Sequence, residues 1–372
     1  MQSSFIPANL YNSVYLVVVG FIAYLHYLKI KNLSVFSLQK TKLFSESFIL
    51  LLTCIVVLFI GTRPLAGAFT DMFAYTDYYL SSQMIDTNNE PGFLLTANLG
   101  HLLGLSVESW FTFIAAIFFG CNLLASRSLD KVNGELIYLT ILVSFLTFAY
   151  STNTIRSGMA HSILLLAISL YLNRKKNKLP IVSIVCFIYA FSVHKSIALG
   201  LICFFLAYYI VGLRRCFQFW FLSIFFSLFV GNQVANLFQG LGFDARLDKY
   251  LIADDFTGFS HTGFRWDFLF YSAIPIILGY YITIKRKIEN KKYSILLSTY
   301  LLANAFWIMV IRAQFSDRFA YLSWFLYPVV LSYPLLKMDI WGRKQGVCAY
   351  WILLGHLSFT LFMRSEERRV GK

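Results

Sequence analysis

The chain has 372 residues, of which 58% are hydrophobic and 13% charged, with a formal net charge of +14. Soluble domains run nearer about 45–50% apolar and about 25% charged, so a secreted enzyme, a cytosolic nucleotide-fold enzyme and a disordered tail are all excluded. A polytopic membrane protein remains, and in such a protein an excess of Lys and Arg marks cytoplasmic loops rather than a nucleic-acid partner.

Apolar runs of spanning length follow one another along the chain. They lie at 10–28, 43–61, 109–125, 134–150, 154–172, 179–193, 196–213, 216–231, 268–284, 293–311, 319–336 and 347–363. The pattern predicts an all-α bundle of about twelve transmembrane helices. The stretch 93–105 is apolar but short, and is expected as a re-entrant or interfacial helix. No internal repeat or linker divides the chain, so residues 1–363 are expected to form one multi-span domain. The string 364–372, Arg-Ser-Glu-Glu-Arg-Arg-Val-Gly-Lys, is dense in charge and reads as a non-native tail. No basic residue precedes the first apolar run, so a cleaved signal peptide is not expected. Six cysteines lie in or beside apolar runs with no CxxC pair, which gives neither a disulfide framework nor a metal site.

Basic residues alternate from loop to loop. Lys29, Lys31, Lys40, Lys42, Arg127, Lys131, Arg174–Lys176, Lys178, Arg214, Arg215, Lys285–Lys287, Lys291, Lys292, Lys337, Arg343 and Lys344 fall on one face. The other face is acidic on balance and carries two long segments, 62–108 and 232–267. The positive-inside rule puts the first face in the cytoplasm and the long segments outside.

Connections of that length are functional or disordered. The first holds Arg63, Asp71, Tyr75, Asp77 and Glu90, and the second holds Arg246, Arg265 and Trp266. Aromatic rings stack on the apolar faces of sugars, and polar groups bind their hydroxyls. Arg63, Asp71, Tyr75, Arg246 and Trp266 are therefore candidate sugar contacts. The plainer alternative is an interfacial aromatic belt with solvated charges.

Arg156, Arg265, Arg312 and Arg318 stand on the face that the positive-inside rule disfavours. Ionisable groups at membrane depth face the bundle interior and mark sites. Guanidiniums from several helices would grip a pyrophosphate bidentately. The competing account is local pairing, of Arg318 with Asp317 or of Arg265 with Asp267. His194-Lys195-Ser196 interrupts two apolar runs and offers a base, a phosphate ligand or only a turn. His161 follows Arg156 by five residues, off its helix face, and is expected to be structural. No Walker loop, GxSxG or GxGxxG occurs, which disfavours an ATP-driven pump.

Several of these pieces occur in a familiar order. Gly61-Thr-Arg63-Pro64 precedes Asp71-xxx-Tyr75, then Glu90-Pro91-Gly92-Phe93, then Arg156 with Ala160, then His194-x-Ser196, then Arg312 and Arg318-Phe319. In this order and spacing, over residues 60–325, the chain resembles the O-antigen polymerases of Wzy type and the EpsG-like polysaccharide polymerases. The resemblance implies a GT-C-like membrane glycosyltransferase. It would join oligosaccharide repeat units carried on undecaprenyl pyrophosphate at the outer face of the inner membrane, in lipopolysaccharide or exopolysaccharide biosynthesis. No cofactor or metal is implied. Partners would be the lipid-linked donor and acceptor, the bilayer and a chain-length regulator. Arg156, Arg265, Arg312 and Arg318 would stabilise the leaving diphosphate, and Asp77, Glu90 or His194 would take the acceptor proton. The rival readings are a lipid-linked oligosaccharide flippase, a membrane O-acyltransferase and the O-antigen ligase. A flippase would favour broken helices at mid-membrane, whereas here the polar groups crowd one surface.

Overall fold

The computed structural model describes residues 6–81, 90–175, 179–239, 264–312 and 316–370, and these form helices with no strand among them. Two compact units result, residues 1–198 with 335–364, and residues 199–334 with 365–372.

The first unit holds α1 (Tyr11–Ile30), α2 (Val35–Lys40), α3 (Glu46–Gly61), α4 (Thr70–Leu80) and α5 (Pro91–Leu102), then α6 (Val107–Leu129), α7 (Gly134–Leu142), α8 (Phe145–Thr152), α9 (Ile155–Leu172) and α10 (Ile181–Val193). Starts are set locally. Ser34, Ser45 and Ser106 each accept a hydrogen bond from the N–H three residues on, which satisfies one free donor of the first turn. α6 packs between α3 and α9, α9 packs on α10, and α10 on α5.

One end of this unit gathers the basic loops. Asn133 Nδ2 donates to the Leu38 and Thr41 carbonyls at 2.5 and 3.1 Å, and its Oδ1 accepts from Leu43 N–H at 3.1 Å. Lys337 Nζ meets Asp130 at 2.9 Å, and Arg127 meets Glu135 at 3.1 Å. The C-terminal helix α17, whose range is Gln345–Val370, begins here, with Gly346 against the Ile30–Leu33 backbone. The opposite end carries the starts of α5, α6 and α9 and the ends of α3, α8 and α10.

The second unit holds α11 (Ile197–Tyr209), α12 (Leu213–Gln239), α13 (Trp266–Tyr280), α14 (Lys291–Met309) and α15 (Ser316–Trp324), and most of α16 (Tyr327–Lys337). α14 is its centre, against α12, α13 and α15. Polar side chains tie the helices together, as in membrane bundles generally. Trp220 Nε1 donates to Asn304 at 2.8 Å, Asn304 donates to Ser323 at 3.0 Å, and Trp324 Nε1 donates to Ser272 at 2.7 Å.

Among the described residues six helices are long and apolar enough to cross a membrane: Ala8–Ile30, Val107–Leu129, Ile155–Leu172, Trp266–Lys285, Arg318–Lys337 and Gly342–Ser365. The pair α7 and α8, bent by 71°, raises the number to seven if taken as one span. This count over the described residues does not confirm twelve spans, and for several of the expected runs the reason is geometric. α3, α10 and α11 are apolar but have 16, 13 and 13 residues. At about 1.5 Å per residue, thirteen residues reach about 20 Å, short of a hydrocarbon core about 30 Å thick. Run 134–150 is broken at Val143-Ser144, and α14 carries buried Ser298, Thr299 and Asn304 that serve helix contacts. The segment 62–108, expected as a long outer connection, contains the short helices α4 and α5.

Candidate functional site

Three helix ends meet at the end of the first unit opposite its basic loops. Glu90 is the N-cap of α5, Arg156 is the second residue of α9, and His194 is the C-cap of α10. Arg156 Nη1 donates to Glu90 Oε2 at 2.5 Å, and His194 Nδ1 donates to Glu90 Oε1 at 2.5 Å. An ionised carboxylate only accepts hydrogen bonds, which makes Nδ1 the donor nitrogen of His194 in this pair. The side chains are 14% (Glu90) and 22% (Arg156, His194) exposed, sheltered enough for charge interactions to exceed their strength in water.

Local sequence explains this placement. Pro91 starts α5 because the first helical N–H needs no partner. Gly92 lets α5 touch the end of α10, since a Cβ there would lie 2.8 Å from the Ser192 carbonyl carbon and from Val193 N. Phe93 lies 5.9 Å beneath the Arg156 guanidinium. Each residue of Glu-Pro-Gly-Phe therefore has a separate mechanical task. On the neighbouring helix, Gly158 sits against the Tyr150 carbonyl, where a Cβ would clash, and this closes the corner from α8 into α9.

α4 covers the cluster. Asp71, Tyr75 and Tyr78 share one helix face by their spacing. Tyr75 and Tyr78 pack on Phe93 with ring centroids 5.8 and 5.3 Å apart. Burial pushes both phenols above their usual range, Arg156 pulls against that shift, and the Arg156 backbone hydrogen-bonds Tyr75. α4 and α5 are themselves held by stacked rings. Tyr79 lies between His101 at 4.3 Å and Trp110 at 4.6 Å, and Trp110 Nε1 donates to the Thr96 carbonyl at 3.3 Å. Gly100 permits that approach.

Behind Arg156, buried His161 contacts the Ser157 carbonyl at 2.8 Å and the Tyr150 hydroxyl at 3.1 Å through Nδ1. It braces the α8–α9 corner, in the structural role expected for it.

The structure thus joins Glu90, Arg156, His194 and Tyr75, with Asp71 on the same α4 face. Asp77 is exposed on another side of α4, and no hydrogen bond or ion pair links its carboxylate to the cluster among the described residues. Arg63 departs from the sugar contact expected of it. It is 2% exposed, donates to the Ile60 carbonyl at 2.8 Å and to the Thr152 carbonyl at 2.9 Å, and faces the Phe111 ring at 4.9 Å. It tethers the end of α3 to the end of α8, because unpaired carbonyls at two buried helix ends need a donor.

The other arginines belong to the second unit. Arg265 makes a bidentate pair with Asp267 at 2.9 and 2.7 Å and lies 3.6 Å over Phe268, which is the local pairing weighed above. Arg312 Nη2 reaches the Leu228 carbonyl at 3.4 Å and faces the ring of Phe264, next to Arg265. Arg318 is exposed in the first turn of α15. α13 and α14 run antiparallel, so Arg265 and Arg312 share one end of this unit, and Arg318 follows a few residues on. Trp266 is half exposed and packs on Phe264 at 4.5 Å. Arg246 lies outside the described residues.

Tyr78 was not singled out in the sequence, and Ser196 only as part of the His194-x-Ser196 piece. The three-residue step from Tyr75 to Tyr78 carried a signal for the first. For Ser196, whose buried Oγ has no partner among the described residues, only its place after His194 did.

A model of the EpsG family matches residues 46–368, and the chain belongs to that family. The match contains Glu90, Arg156, His194, Arg265, Arg312 and Arg318, and it runs into the charged 364–372 segment. No curated protein and no solved structure matches the chain.

Proposed function

We propose that this member of the EpsG family is a membrane glycosyltransferase that polymerises lipid-linked oligosaccharide repeats, with its reaction centre at Glu90, Arg156 and His194. Membership supports the coarse part, a multi-pass membrane protein of polysaccharide synthesis. The finer part is our reading: undecaprenyl-diphosphate donors and acceptors, and a site opening to the periplasmic face of the bacterial inner membrane. The single observation that carries it is the meeting of an arginine, a carboxylate and an imidazole at three helix ends, opposite the basic loops of the same unit.

The chemistry follows from the bonds that change. The anomeric C–O bond to the lipid diphosphate breaks, and its electron pair leaves on the diphosphate. The acceptor hydroxyl oxygen bonds to the anomeric carbon and loses its proton. A cation placed where the negative charge grows lowers the barrier, and Arg156 fits that role. His194 fits the base, because Glu90 fixes its ring and tautomer through Nδ1 and leaves Nε2 for the hydroxyl. Tyr75 and Tyr78 provide aromatic surface for a sugar ring. In the second unit, Arg265 is committed to Asp267.

Membrane glycan ladders of Arg156→Ala, His194→Ala and Glu90→Ala strains at matched expression test the reading. Single repeats on the surface support it. Wild-type ladders from all three refute it, and repeats trapped inside the cell point to a flippase instead.

A further inference from the structure

The Arg156 guanidinium is incompletely used. Nη1 holds Glu90, while Nε is buried with no hydrogen-bond partner among the described residues. A guanidinium carries five N–H donors in a planar fork, so this one has donors beyond the one that Glu90 engages. Its surroundings are rich in further donors. α9 starts one residue earlier with no side-chain cap, so its first-turn N–H groups add to a positive field. His194 leads into the turn before α11, where the buried Ser196 hydroxyl has no partner among the described residues. The carboxylate of Glu90 meets both Arg156 and His194 here.

We infer that Glu90 is a resident anion that occupies the diphosphate subsite of Arg156 until a lipid-linked donor displaces it. This deepens the functional reading above and rests on it. The exchange is electrostatic and moves no covalent bond: Arg156 leaves one carboxylate oxygen for two phosphate oxygens, which its fork matches bidentately. The diphosphate brings more charge than the carboxylate it replaces, so the exchange is favourable. Glu90 keeps His194 through Oε1 and no longer serves Arg156. In the empty site the pairing neutralises both groups, so a partly buried charge is never left alone. The arrangement also ties the final positions of Glu90 and His194 to the presence of a donor, and this protects the site against pointless activation of water.

The test is binding of inorganic pyrophosphate to the purified full-length chain in lipid nanodiscs, followed by calorimetry at fixed ionic strength. Removing the internal competitor frees Arg156, so Glu90→Gln is expected to bind pyrophosphate at least about tenfold more tightly than wild type, about 1.4 kcal/mol. Arg156→Ala is expected to lose binding in both backgrounds. Glu90→Asp, which shortens the pair by one methylene, serves if Glu90→Gln does not fold, with a smaller tightening expected. Equal or weaker binding by the folded Glu90 variants overturns the inference. Glycan ladders from the same strains separate the two ideas. Tighter pyrophosphate binding with normal ladders keeps the anion subsite and removes the polymerase site. Lost ladders with unchanged binding do the reverse.

Discussion

Gly92→Ala is the most direct probe of how the site is assembled. The added Cβ would stand 2.8 Å from the Ser192 carbonyl carbon and from Val193 N. Ordinary carbon contacts lie nearer about 3.5–4.0 Å, so α5 and the end of α10 must separate by roughly 0.7 Å. The Ser192 hydroxyl, which the Cβ would meet first, can rotate aside, but the backbone atoms behind it cannot. The strain of such overpacking is typically about 1–3 kcal/mol. Glu90 precedes Gly92 by two residues, and His194 follows Ser192 by two. The separation therefore falls on the Glu90–His194 bond, now 2.5 Å. A displacement of about 1 Å in a reacting group costs about 100-fold in rate. The expected result is a protein that still folds, melts a few degrees lower and makes strongly shortened glycan. The matched control is Gly120→Ala in α6, where a Cβ meets nothing within 4 Å. There the exchange stabilises the helix by up to about 1 kcal/mol and leaves chain length unchanged. The assay is thermal unfolding in detergent together with ladder length at equal expression. Full-length ladders from Gly92→Ala would refute the argument that this glycine sets the Glu90–His194 contact.

Three further outcomes follow from the same geometry. Arg63→Met leaves the Ile60 and Thr152 carbonyls unpaired in a buried place, at a cost of about 3 kcal/mol; unfolding should show it, with Arg63→Lys recovering part of the loss, and a wild-type melting curve would remove the tether. Asp130→Asn strips the buried partner from Lys337 and should destabilise by about 3 kcal/mol, whereas Asp130→Leu with Lys337→Met should return much of it; equal damage in the single and double variants would contradict the pairing. Arg265→Ala breaks a partly exposed pair and should cost less than about 1 kcal/mol, with ladder length largely kept. Arg156→Ala should abolish polymer at similar stability, and an equal ladder defect in the two would erase the distinction drawn between these arginines.

Composition pointed to a membrane, because no soluble core could absorb so much apolar side chain, and the lengths of the apolar runs pointed to helices. In the first unit, charge alternation separated the basic loops from the end that bears the candidate site. Glu90, Arg156 and His194 were legible as unusual because each interrupts or borders an apolar run. Their partnership was not. Residues 90, 156 and 194 are far apart in the chain, and only the packing of α5 and α9 on α10 brings two of them to one carboxylate. The number of spans also escaped a linear reading, since hydropathy measures apolar length and is blind to a 71° break or to a helix that ends after thirteen residues. The same limit explains Arg63. A charged residue after an apolar run looks like a surface group in sequence, yet two helix ends with unsatisfied carbonyls drew it inward. Sequence therefore determined the solvent in which this protein folds and the residues that carry charge. Tertiary structure decided which charges meet, because ion pairs and clashes depend on distances of a few ångströms that only packed helices define.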